Sequence, residues 1–243
     1  MNTQSNDQQM QRLRVLALIP FGIALNLALG TVVATLKIPL YLDSIATIAV
    51  TLLGGWRPGL VVGVGSFLVG GMLINPVLPW FSGTQVIIAL YISFVASKGW
   101  LGVNVPVHRI AHSAVGFEDQ ESLVGNLEMI VPASRLPKWL QYMRLVGVGL
   151  CLGVVAGVVS APVIVWLFSG LTGSGPSLVV AFLLKSGETL FKAVLFSGLA
   201  SEPLDKTLQL LIAIGLLRSL PNSLKRSFGG PHLDKNGLIR DAL

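Results

Sequence analysis

The chain has 243 residues, 53% of them hydrophobic and only 12% charged, with a mean hydropathy of +0.76. Soluble domains carry about 25% charged residues, so the composition excludes an ordinary soluble domain and predicts an all-α polytopic membrane bundle, a single membrane domain over 1–243. The net charge of +6 predicts basic cytoplasmic loops rather than a nucleic-acid partner, because no stretch alternates basic and aromatic residues.

A membrane span needs about 20 apolar residues. The polar start, Met1 to Met10, leads through Arg12 and Arg14 into an apolar run that reaches Leu36. No small-residue cleavage site interrupts that run, which predicts an uncleaved first helix over 14–36. Ala24 and Ala28 are four apart in it. Small residues at that spacing let helices approach closely, either inside this bundle or against another membrane subunit.

The stretch Lys37-Ile-Pro-Leu-Tyr-Leu-Asp43-Ser-Ile-Ala-Thr-Ile follows. Pro39 breaks any helix running through it. An ammonium, a phenol and a carboxylate between two apolar runs make either a solvated loop or the lining of a site. Asp43 either caps the second helix, since Asp-Ser opens an apolar helical run, or meets a ligand, and the two roles can coexist.

Further apolar segments cover 42–55, 57–74, 83–98, 145–169, 178–199 and 203–220. Gly54 to Gly59 form a turn carrying Arg57, and Ile74-Asn-Pro-Val-Leu-Pro-Trp80 is an uncharged break. Residues 99–144 make the one long polar loop, with Arg109, Arg135, Lys138 and Arg144 against Glu118, Asp119, Glu121 and Glu128. Small-residue ladders recur at Gly59/Gly63 and at Gly149/Gly153/Gly157. Lys185, Glu188, Thr189 and Lys192 fall at i, i+3, i+4 and i+7, one face of a helix.

The distribution of charge decides the topology. If 178–199 does not cross, the N-terminus, the 54–59 turn, the 99–144 loop and the tail at about 221–243 share one side. Of the 17 Lys and Arg, all but Lys37, Lys185, Lys192 and Lys206 then fall there. The positive-inside rule therefore predicts six spans with both termini cytoplasmic, and 178–199 as a re-entrant or interfacial helix outside. The polar breaks gather at the outer face. Polar groups from Tyr41, Asp43, Asn75, Gln85, Glu188 and Lys192, with Trp80 and Trp166 as aromatic walls, have the composition of a small-molecule site.

Nothing in the chain reads as an enzyme. It has no G-x-x-x-x-G-K-[ST], no G-x-S-x-G and no H-E-x-x-H. His108 and His112 have metal-chelating spacing but no third ligand nearby, so no metal site and no cofactor are expected. Cys151 is the single cysteine, which excludes an intrachain disulfide.

The run Ile38-Pro-Leu-Tyr-Leu-Asp-Ser-Ile-Ala-Thr-Ile, followed by Leu53-Gly-Gly-Trp-Arg-Pro-Gly, resembles the substrate-binding S components of energy-coupling factor (ECF) transporters. Those proteins often read YLDSIGTI, then an apolar helix, then a G-P-W-x-G turn. Ser160-Ala-Pro162, Thr172-Gly-Ser-Gly, Glu202-Pro-Leu-Asp-Lys206 and Arg218-Ser-Leu-Pro221 extend the likeness in order along most of the chain. The 99–144 loop is longer than the family pattern. The resemblance implies a six-helix protein of a prokaryotic cytoplasmic membrane that captures a vitamin-like small molecule outside. It also implies delivery through a T-type transmembrane subunit and two ATPase subunits, with Ala24 and Ala28 touching the T subunit and the 37–43 loop gating the site. A membrane sensor or assembly subunit and a stand-alone secondary carrier are the alternatives. An absent inverted repeat weighs against the carrier.

Overall fold

A computed structural model describes residues 3–101, 137–170, 172 and 176–220. Those residues form helices joined by short connections, with no strand among them. In chain order the helices are α1 (Thr3–Thr35), α2 (Ile45–Gly54), α3 (Trp56–Leu73), a 3₁₀ turn (Leu78–Phe81), α4 (Ser82–Ser97), α5 (Lys138–Phe168), α6 (Pro176–Lys185) and α7 (Leu190–Ser219). The expected all-α class therefore stands. Among the described residues, four stretches are long and apolar enough to cross a membrane: Leu16–Thr35, Trp56–Leu73, Leu78–Ser97 and Trp139–Phe168. His108, His112, most of the 99–144 loop and the tail lie outside the described residues.

Several segment boundaries differ from the sequence expectation: α1 begins at Thr3 rather than 14 and α5 at Lys138 rather than 145, and the segments after 176 are divided differently. The stretch 178–199 is not one helix. α6 ends at Lys185 in a Schellman turn, with Gly187 N–H donating to Leu184 O at 3.0 Å and Glu188 N–H to Leu183 O at 3.1 Å. Gly187 supplies the left-handed residue, φ +93. Lys185, Glu188, Thr189 and Lys192 consequently do not share a helix face. The second half of that stretch instead continues through Pro203 to Ser219 as α7, a helix of about 45 Å. Pro203 removes one N–H and leaves the Leu199 carbonyl without its helical donor, yet the helix runs on.

α1 closes with the same turn. Lys37 N–H donates to Ala34 O and Ile38 N–H to Val33 O, and Lys37 takes the left-handed position, φ 55. The helix thus ends just before Pro39, and the chain runs to Ser44 without regular structure.

α2 is the hub. It is only about 15 Å long, but Ile45, Ile48 and Leu52 share one buried apolar cluster with Ile88 and Ile92 of α4, Leu145 and Leu152 of α5, and Leu210 and Ile214 of α7. A helix apolar on every side belongs in an interior. The glycine ladders explain how the others pack around it. A Cβ at Gly149 would sit 2.6 Å from Thr207 Cα, one at Gly153 would collide with the Pro203 backbone, and one at Gly157 would lie 3.4 Å from Gly198. These three glycines form the α5–α7 seam. Gly63 likewise sits against Gln85 and Thr47. Ala24 and Ala28, by contrast, are exposed on α1.

Candidate functional site

The site begins with how α7 holds the irregular segment before α2. Asp205 is fully buried. Its Oδ1 accepts the N–H groups of Tyr41 (2.9 Å) and Leu42 (3.0 Å). Its Oδ2 accepts Lys206 Nζ at 2.7 Å and Gln209 Nε2 at 2.6 Å. Gln209 Oε1 in turn accepts the Ser44 N–H at 2.8 Å. One turn of α7 therefore satisfies three backbone donors of residues 41–44, and it holds Leu42 at φ 47, a conformation that costs a branched residue free energy.

A second network runs through the neutral side. Asn26 of α1 accepts the Ala46 N–H at 2.8 Å and donates to Thr47 Oγ1 (3.0 Å) and Ser66 Oγ (3.2 Å). Thr47 Oγ1 donates to Gln85 Oε1 at 3.0 Å, and Gln85 Nε2 donates to Ser44 Oγ at 2.8 Å. Ser44 Oγ then donates to Asp43 Oδ1 at 2.8 Å. The chain of bonds joins α1, α2, α3 and α4 and ends on a carboxylate.

Between the networks lies a cavity of about 160 Å³. Leu40, Tyr41 and Asp43 line it from the first polar break, and Ile74, Asn75 and Val77 from the second. Thr172 lies beside it, and Glu202 and Lys206 face it from α7. Leu27, Phe67, Phe81 and Ile164 give it apolar walls, and the Phe81 and Phe168 rings stack with centroids 6.0 Å apart. Polar breaks far apart in sequence thus meet at one hollow.

The charges are unevenly shared. Lys206 Nζ lies 2.7 Å from Asp205, 3.4 Å from Asp43 and 3.5 Å from Glu202, and 5.5 Å from the centre of the Tyr41 ring. Glu202 is 5% exposed, and its Oε2 has no hydrogen-bond donor among the described residues.

Of the residues singled out from sequence, Tyr41, Asp43, Asn75 and Gln85 line the cavity. Gln85 has both amide ends committed to Thr47 and Ser44, and Asn75 Oδ1 accepts the Val77 N–H at 3.0 Å in an Asx turn. Trp80, Trp166, Glu188 and Lys192 are exposed and are not among the lining residues. Asp43 does not cap α2. Ser44 holds the N-cap position without a side-chain cap bond, and Gln209 and Asn26 accept the N–H groups of Ser44 and Ala46.

The sequence reading missed Asn26, Ser66, Glu202, Asp205, Lys206 and Gln209 as parts of the site. A signal was present. Glu202, Asp205, Lys206 and Gln209 stand at i, i+3, i+4 and i+7, the spacing of one helix face. The sequence segments end at 199 and resume at 203, so Glu202 falls between them. No family model, no curated protein and no solved structure matches the chain.

Proposed function

We propose that the chain is the substrate-capture (S) component of an ECF-type importer, binding a vitamin-like small molecule outside the cytoplasmic membrane and passing it to a T subunit and two ATPases. The observation that carries the reading is the convergence of the polar breaks on a cavity with mixed apolar and polar walls, the usual composition of a small-molecule site. The likeness of Ile38 to Gly59 to the S components gives the reading its transport context.

Six crossings fit this proposal. α1, α3, α4 and α5 contain the long apolar stretches. α7 is long enough for a hydrocarbon core of about 30 Å, and its ionisable groups Glu202, Asp205 and Lys206 are buried inside the bundle, as charges at membrane depth must be. α2 is too short alone, but the irregular segment 38–44 extends it, and neighbouring protein shelters that backbone. Both termini then lie on the cytoplasmic side, with α6 outside.

The exposure of α1 supports a docking surface there. Ala24 and Ala28 are exposed, and Ala28 borders a shallow apolar groove with Leu27, Val32, Leu36 and Ile74. Close helix approach at such a stripe suits a membrane partner.

Uptake into cells or vesicles with and without the ATPase partners tests the reading, and uptake that persists without them sinks it in favour of a carrier. Asp43→Ala should lower retention of the co-purified solute, measured by native mass spectrometry. Ala28→Trp should abolish co-purification with the T and ATPase subunits while retaining that solute. A partner complex that survives Ala28→Trp rules out this face.

A further inference from the structure

We infer that the cavity takes a small organic cation, a solute of about one ring whose positively charged nitrogen carries N–H donors and sits against Glu202 and Asp43. The inference rests on the capture reading above and narrows it to one class of ligand.

Asp43, Glu202 and Asp205 surround one ammonium, Lys206, and no other lining residue among the described ones is cationic. The carboxylates therefore outnumber the cation in a wall that is otherwise neutral. Asp205 is not available to a ligand, because both of its oxygens already hold two donors each. Lys206 is not available to an anion, because its short contact goes to Asp205 and its two longer ones to Asp43 and Glu202.

What remains is acceptor capacity without donors. Glu202 Oε2 is buried with no hydrogen bond from the described residues, and its one ionic contact is the shared Lys206 at 3.5 Å. A carboxylate taken out of water without full pairing is costly, and a ligand N–H carrying positive charge removes that cost. An anionic ligand would meet the opposite situation, with two carboxylates on the wall and Lys206, the one ammonium among the described lining residues, already engaged.

Size and shape narrow the class. The cavity, at about 160 Å³, is below the roughly 300–1,000 Å³ of drug-sized sites. Phe67, Phe81 and Ile164 supply apolar contact for a hydrocarbon or ring portion. The three carboxylates are drawn together by Lys206, and no three His, Cys, Asp or Glu among the described residues are placed to hold a metal ion, so an organic cation fits better than a bare metal ion.

The test uses the purified full chain in lipid nanodiscs at neutral pH, with thermal unfolding as the readout. The probes are benzylammonium, benzyl alcohol and benzoate, which share one ring and differ in charge, together with magnesium and zinc chloride. Benzylammonium should raise the Tm in a concentration-dependent way, and its apparent affinity should fall about 10- to 100-fold in Glu202→Gln. Asp43→Asn should weaken it too, which keeps the test informative if Glu202→Gln does not fold. Stabilisation by benzyl alcohol or benzoate equal to or greater than that by benzylammonium overturns the cation while leaving a capture site in place. So does a co-purified solute that native mass spectrometry identifies as neutral or anionic. Stabilisation by either metal salt alone, lost in Glu202→Gln, overturns the organic class. Failure of every probe to shift the Tm, with no co-purified solute, overturns both this inference and the capture reading.

Discussion

The two walls of the cavity are built from different polar chemistry. On the α1–α4 side, Asn26, Thr47, Gln85 and Ser44 form a neutral relay in which each side chain both gives and receives a hydrogen bond. On the α7 side, three carboxylates share one ammonium, and Glu202 is left short of donors. Buried polar groups that are fully paired fix a unique arrangement of helices. Buried charges that are incompletely paired destabilise the empty fold. The neutral wall therefore reads as scaffold, and part of the charged wall reads as the surface that meets a ligand. Asp205 belongs with the scaffold although it is charged, because every one of its contacts holds the chain in place.

The strongest way to break this division is Asp205→Ala. It strips donors 41 and 42 and Lys206 of their acceptor at once. Removing one partner of a buried ion pair costs about 3–5 kcal/mol, so the variant should unfold at a far lower denaturant concentration or temperature in detergent. Near-normal stability would mean that the 37–44 segment is not held by α7.

A somewhat smaller loss is expected at the seam that positions Glu202. Gly153→Leu puts side-chain atoms where the Glu202 carbonyl and the Pro203 backbone lie. Overpacking of this kind costs about 1–3 kcal/mol. The displaced helix should also weaken ligand binding, so thermal stability and retention of the solute should fall together. A fall in only one of them would show that the seam and the site are independent.

These two sites mark what a single sequence makes legible. The apolar runs and their Gly and Pro boundaries were readable, because helix formation and helix ends are local. The Schellman turn at Gly187 has a local signature in its glycine, but the helical spacing of Lys185, Glu188, Thr189 and Lys192 points the other way. The same i, i+3, i+4, i+7 spacing at 202–209 is the one that the fold uses, on a helix that runs through Pro203. Tyr41, Asp43, Asn75 and Gln85 were findable because they interrupt or border apolar segments. Asn26 and Ser66 were not, since a lone polar residue within an apolar helix gives no hint of which partner satisfies it. The pairing of Asp205 with residues 41 and 42 spans more than 160 positions, a distance no periodicity covers.

The neutral wall can be probed with Thr47→Val, which keeps the shape and removes the hydroxyl that joins Asn26 to Gln85. Two buried amide groups lose a partner, at about 1–3 kcal/mol. Unfolding should register that loss, whereas affinity for the bound solute should change much less than in Glu202→Gln. If Thr47→Val abolishes binding while leaving stability intact, the neutral relay is part of the ligand surface and the contrast between the walls fails.

The smallest effects are expected outside the cavity. Trp166 is 82% exposed, and Glu188 contributes its backbone N–H to the turn that ends α6, a role that alanine preserves. Trp166→Ala and Glu188→Ala should each shift stability by no more than about 0.5 kcal/mol, as surface changes away from caps and cores do. Retention of the solute should stay within about twofold, under 0.5 kcal/mol by the affinity scale. A tenfold loss in either variant would extend the recognition surface from the cavity to the exposed end of α5 and the turn after α6. The excess of carboxylate at Glu202 would then be one part of a longer entry path, along which charge near the surface selects the solute before the buried wall receives it.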